Sequence, residues 1–238
     1  MKNQFCGWAT RESTEAERFL QNYFFLQFFY PAFTDDIIKQ DLGEVGISIL
    51  NHYNIGYVIL HKKTELGPLD EHIRTKFVPT LKQQMSKILN QDSSFYEDSG
   101  LVVYKIPKSD SEKPFILLGE GWDDTVFTDE RGSLVRLATQ HSEIIIINPS
   151  SEIQNLSLQI LLSSTVPLNH VSVSFNNELI LEKALSEQPV EILIENMAVS
   201  PGKNIISLDA SEFKTLPPLS NIENEREMSI VVDSISFV

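Results

Sequence analysis

Hydrophobic and polar positions follow two different rhythms along this chain, and the change of rhythm divides it. Up to about residue 108 the apolar positions recur at helical spacing or in short unbroken runs. "TEAERFLQNYFFLQFF" sets Phe19, Tyr23, Leu26 and Tyr30 on one helical face. It opens with a capping box, Thr14 followed three residues on by Glu17, and Pro31 ends it. A second helix is predicted from Asp35 to about Tyr53, with Ile38, Leu42, Val45 and Ile49 as its apolar face. Gly43 and Gly46 weaken it by about 1 kcal/mol each. "IGYVILH" (Ile55 to His61) is a continuous apolar run of strand length and reads as a buried strand. "PLDEHIRTKFVPTLKQQMSKILNQ" returns to helical spacing, with Pro68 in the first turn and Pro79 as an interruption. "SFYEDSGLVVYKI" reads as a hairpin turning at Asp98-Ser99-Gly100.

From residue 115 onward the period falls to two. "SEIIIINP" (Ser142 to Pro149) reads as a buried strand, and "NLSLQILLSS" alternates. In "HVSVSFNNELILEK", Val171, Val173 and Phe175 share one face and Ser172 and Ser174 the other. Asn176-Asn177 between the two arms suits a type I′ turn, because Asn tolerates positive φ. "PVEILIENM", "SPGKNIISLDAS" and "MSIVVDSISFV" complete seven or eight short strands with turn signals every 8–12 residues, the pattern of an antiparallel β-sandwich. The fold class is therefore α+β. A small α/β domain over 1–108 precedes a jelly-roll-like antiparallel β-sandwich over 115–238. The polar, proline-bounded "PKSDSEKP" (Pro107 to Pro114) joins them as a linker.

Charge sharpens this division. Residues 1–114 hold 13 Lys and Arg against 15 Asp and Glu, whereas residues 115–238 hold 6 against 18, for a net charge of −14. So acidic a chain lacks the basic face that nucleic acid or anionic lipid would need. Its single cysteine, Cys6, permits no disulfide framework and no thiolate metal cluster. "YFFLQFFYPAF" (Tyr23 to Phe33) is the most apolar run, far short of the roughly 20 residues that span a bilayer. The start carries no signal-peptide core, so the chain as given reads as soluble. The aromatic stripe Phe19–Phe33 reads as core of the first domain, or as a surface against membrane.

Candidate chemistry concentrates in "GEGWDDTVFTDERGSLVRLA" (Gly119 to Ala138). Trp122 offers a flat apolar face, and Asp123 and Asp124 could hydrogen-bond sugar hydroxyls beside it. Asp123, Asp124, Asp129 and Glu130 give four carboxylates within eight positions, as a structural calcium ion would require, though without the spacing of an EF-hand loop. Both readings stand against a plainer one, in which Trp122 packs into the edge of the sandwich and the carboxylates are solvated. Arg136 has a structural role by default, pairing with a sandwich carboxylate. The five histidines are scattered with no zinc spacing, and no nucleophile elbow or phosphate loop occurs, so no catalytic residue is assigned.

Several phrases also resemble a known region. "NIGYVILHK" with a following helix, "FYEDSGLVVYKIP", "GEGW…RGSLVRLA", and the tail "VSVSFNNELILEKAL…VEILIENMAVSPGKNIISL" are similar to the C-terminal soluble region of polytopic membrane glycosyltransferases of the dolichyl-phosphate-mannose mannosyltransferase-like type and their prokaryotic relatives. The opening "FCGWATR" is similar to the stretch that begins that region. The resemblance implies a non-catalytic accessory module on the extracytoplasmic face of the cytoplasmic membrane. Its partner would be a polytopic membrane region in the same or a neighbouring chain, with a glycan as a further ligand. No cofactor is expected beyond the structural calcium that the carboxylate run would suit. Two other readings stay open: a free-standing interaction or scaffold module without sugar affinity, and a glycoside hydrolase built on paired carboxylates.

Overall fold

The computed structural model describes residues 37–62, 78–91, 93–108, 113–129, 134–216 and 225–238, with the backbone alone at 61 and 124–126. The helix expected over 14–30, the stripe Phe19–Phe33, Cys6 and the linker residues 109–112 lie outside the described residues.

The period-two half folds into two five-stranded antiparallel sheets. One sheet has the order β10-β9-β12-β7-β4 and the other β11-β8-β15-β6-β5. The first contains β4 (Phe115–Leu118), β7 (His141–Asn148), β9 (Asn169–Phe175), β10 (Glu178–Leu185) and β12 (Gly202–Ala210). The second contains β5 (Trp122–Thr128), β6 (Leu134–Ala138), β8 (Gln154–Ser164), β11 (Val190–Val199) and β15 (Ile230–Phe237). A two-stranded ribbon, β13 (Lys214–Leu216) with β14 (Arg226–Met228), leads into β15. The chain passes repeatedly from one sheet to the other, as in a jelly roll, and the inner faces meet in one core. Ile144, Ile146, Val171, Val173, Ile206 and Leu208 come from one side, and Leu158, Ile160, Leu162, Ile192 and Val232 from the other.

Alternation places these residues because successive side chains point to opposite faces of a strand. Val171 and Val173 are fully buried while Ser172 and Ser174 reach the outer surface. The Asn176-Asn177 turn holds positive φ at both residues, 49° and 71°, as a I′ hairpin demands. Two expectations need correction. Among the described residues the sandwich has ten strands rather than about seven or eight. "SEIIIINP" is not buried throughout: β7 turns His141, Glu143 and Ile145 outward and Ser142, Ile144 and Ile146 inward. Its partners β4 and β12 flank it, and on the outer face His141, Glu143 and Ile145 keep some exposure while Ile147 is buried.

The first half forms a three-stranded antiparallel sheet, β1-β3-β2, from β1 (Tyr57–His61), β2 (Tyr96–Glu97) and β3 (Leu101–Lys105). Helices α1 (Leu42–His52) and α2 (Val78–Leu89) accompany it. The hairpin turns where expected: Asp98 Oδ1 accepts from the N–H groups of Gly100 and Leu101 at 2.6 and 2.8 Å. Pro79 lies in the first turn of α2 as described, where its missing N–H leaves no helical bond unmade. Helix α1 starts at Leu42 instead of Asp35, because Asp41 caps it by accepting from the N–H of Gly43.

The residues just before that cap join the two halves. Ile38 bridges Ile235 in parallel; the N–H of Lys39 donates to the carbonyl of Ile235, and the N–H of Ile235 to that of Ile37, both at 2.8 Å. Gln40 then reaches the edge of the other sheet, where its amide donates to Ile116 O at 3.0 Å and accepts from Ile116 N at 2.7 Å. Residues 37–40 thus bond to both sheets. The buried core runs without a break from Ile49 and Met85 in the helices to the sandwich interior.

Candidate functional site

The turn from β4 to β5 holds Trp122 against the rim of the first sheet. Gly121 has φ +82° and lies so close to β7 that a Cβ there would stand 1.9 Å from the carbonyl oxygen of His141. Only glycine fits both conditions. The turn is tied down by backbone bonds from Gly119 N to Glu143 O, from Glu143 N to Glu120 O and from Thr139 N to Gly121 O, at 2.8–2.9 Å. The half-buried indole of Trp122 packs on the core, and its Nε1 donates to the same Glu143 carbonyl at 2.6 Å.

Around this anchored ring the outer face of the sheet gathers polar groups. Register sets Asp209 of β12 directly opposite His141, and Ser207 opposite Glu143. Ser172 and Ser174 of β9 continue the two rows. His141 Nδ1 lies 2.7 Å from Asp209 Oδ1, and its Nε2 lies 4.0 Å from Glu143 Oε1. The Asp209 hydrogen bond pushes the His141 pKa above its ordinary value, with smaller help from Glu143 and Glu120 and some opposition from burial. The result is a hydrogen-bonding surface of carboxylates, hydroxyls and one imidazole beside an aromatic edge.

The residues singled out from sequence part company here. Trp122 sits at the rim of the first sheet, with its indole packed on the core. Asp123, one residue on, is buried: it is 4% exposed, and Arg226 Nη1 donates to its Oδ2. Its backbone carbonyl accepts from Nη1 of the fully buried Arg136 at 3.1 Å. The guanidinium of Arg226 also lies over the ring of Phe127, 5.8 Å from its centre. Asp123 therefore serves a buried ionic group and does not face solvent. The structural role given to Arg136 fits its burial in β6. Asp124 is placed by backbone only, in β5; Asp129 follows β5, and Glu130 lies outside the described residues. Among the described residues no three His, Cys, Asp or Glu side chains converge as a metal ion would require.

His141, Glu143 and Asp209 escaped the sequence reading. His141 and Glu143 alternate with inward residues, which is a usable signal. Asp209 lies 68 positions away from His141, and only the β7–β12 register brings it into contact.

No protein-family model matches the chain. A stretch of 115 residues is 34% identical to the phosphoenolpyruvate carboxykinase (ATP) of Campylobacter lari, spanning 45% of this chain but only 21% of that enzyme. The chain therefore spans about a fifth of that relative's length, and the match leaves most of the enzyme without a counterpart. Similar solved structures include a family 35 carbohydrate-binding module from an environmental isolate, at 12% identity and TM-score 0.33 over 52% of this chain and 92% of that one. The carbohydrate-binding module CBM36 with calcium and xylotriose overlaps at 12% identity and TM-score 0.29, over 51% of this chain and 92% of that one. A Clostridium stercorarium CBM6 module with cellobiose overlaps at 11% identity and TM-score 0.29, over 54% of this chain and 87% of that one. Overlap this distant does not carry a ligand from one protein to another.

Proposed function

We propose that this chain is a non-catalytic binding module that takes a neutral glycan on the outer face of the β10-β9-β12-β7-β4 sheet, beside Trp122. The supporting observation is an anchored, half-buried indole, bonded to the Glu143 carbonyl at the rim of a sheet face that carries Glu143, His141, Asp209 and serine hydroxyls. Sugar sites combine a flat apolar face with a few fixed polar groups of this kind. The acidic surroundings favour a neutral ligand over an anionic one, since like charges raise the cost of approach. The sequence resemblance supports a setting beside a membrane glycosyltransferase-like region, encoded in the same frame or next to it.

The test is calorimetric titration of the whole chain with neutral oligosaccharides. Glu143→Gln and Asp209→Asn, both on exposed or half-exposed positions, are expected to weaken binding about tenfold while leaving the fold intact, the loss of one or two hydrogen bonds to a ligand. A parent chain that binds none of them at millimolar concentration overturns the proposal. The membrane setting fails if neither the native reading frame nor its neighbours encode membrane helices.

A second reading, a protein-interaction module, draws on β10. Among the described residues this strand ends one sheet and pairs only with β9, and it exposes Leu179 and Ile180 at 60% and 41%. An open edge of that kind can accept a partner strand.

A further inference from the structure

Away from the sandwich, a cleft of about 780 Å³ opens between the C-terminal end of α1, the start of β1 and the end of β3. Its size falls within the roughly 300–1,000 Å³ typical of small-molecule sites. Two aromatic rings stand in its wall with their faces open: Tyr57 is 52% and Phe95 65% exposed. Their centroids are 6.1 Å apart and their planes inclined by 59°. Backbone holds both in place. Tyr57 lies in β1 directly opposite Lys105 of β3, and the N–H of Phe95 donates to the carbonyl of Val103 at 2.8 Å. Asn51, Asn54, Gln91, Ser93 and Ser94 supply amides and hydroxyls around them.

Among the described residues, the charge lining this cleft is opposite to that of the molecule. In a chain of net charge −14, its described lining contains Lys105 and Lys108 and no carboxylate. Elsewhere in this half, Lys62, Lys82, Lys87 and Lys113 are each paired with a carboxylate at 2.6–2.9 Å. Lys105 and Lys108 form no such pair among the described residues. Two uncommitted cations, one of them across the strand pair from an exposed ring, are suited to an anion attached to something flat.

We propose that this cleft is a second binding site, and that its ligand is a sugar ring bearing an anionic group, a carboxylate or a phosphate. The ring stacks on Tyr57 or Phe95, its hydroxyls bond the amides and serines, and the anion meets Lys105 and Lys108. This site shares no residue with the surface beside Trp122 and takes a ligand of different charge, so either can fail alone.

The whole chain is titrated by calorimetry with a glucuronate-bearing oligosaccharide, glucose 1-phosphate, inorganic phosphate and a neutral oligosaccharide. One of the two sugar anions is expected to bind, and which one does so identifies the anionic group. Lys105→Gln with Lys108→Gln should weaken that binding at least tenfold, and so should Tyr57→Leu with Phe95→Leu. Glu143→Gln should leave it unchanged. The proposal is overturned if neither sugar anion binds at millimolar concentration, or if the lysine pair can be replaced without loss. It is equally overturned if the neutral sugar competes equally for this site, or if inorganic phosphate binds as tightly as the sugar anion.

Discussion

Asp123 is buried beside Arg226, and its backbone carbonyl accepts from the fully buried Arg136. Removing one partner of a buried ion pair leaves the other uncompensated, which costs about 3–5 kcal/mol. Asp123→Asn should therefore lower stability by about 3 kcal/mol, read from the urea unfolding midpoint at unchanged slope. A surface carboxylate would change by less than about 0.5 kcal/mol. His141 behaves differently, because it is exposed and screened. Asp209 raises its pKa above the ordinary value, so its protonated form stabilises the folded state. That contribution is complete below about pH 6.5 and is lost as pH rises through the raised pKa. His141→Gln should accordingly flatten the melting temperature between about pH 6 and 8, whereas the parent loses a little stability over that range. A parent profile that rises with pH there would contradict the assignment. At this scale the sequence was only partly informative. Trp122 stood out by its type, but the facing of Asp123 depends on Arg226, 103 residues away.

Turns and glycines decide how the elements meet. Gly121 occupies a left-handed conformation against the carbonyl of His141, so Gly121→Ala should destabilise the chain by more than about 2 kcal/mol and displace Trp122 with its turn. Intact near-ultraviolet dichroism from Trp122 in that variant would refute the account of the turn. Gly46 reads in sequence as a weak point of α1, yet a Cβ there would lie 2.9 Å from Ile88 of α2. Gly46→Ala is expected to lose about 1 kcal/mol net in thermal unfolding, as overpacking outweighs the gain in helix propensity. Elements set by local grammar were legible: the Asn176-Asn177 hairpin, the Asp98 turn and the alternating strands β8, β9 and β11. Elements set by distant partners were not. Residues 37–40 carry helix-compatible spacing but extend to pair with Ile235 and Ile116. The register shift in β11 rests on Asn196 at φ 56°, a bulge that alternation alone does not announce.

The whole molecule joins an acidic sandwich to a nearly neutral helical half through one core. We propose that residues 1–108 and 115–238 fold as two domains, with the 37–40 segment fastening them. A protease site inserted between Ser109 and Glu112 should be cut without releasing either piece, and the halves should co-elute in gel filtration until denaturant is added. Separation under native conditions would mean that the contacts of Ile38 and Gln40 contribute little. The surface beside Trp122 is the central claim at this scale, and its location can be read without mutation. In a nitrogen–proton correlation spectrum of the whole chain, titrated with neutral oligosaccharides, the account predicts saturable shifts at Gly121, His141, Glu143 and Asp209, with the amides of β1 and β3 undisturbed. Shifts confined to other surfaces, or an unchanged spectrum at millimolar sugar, would contradict it.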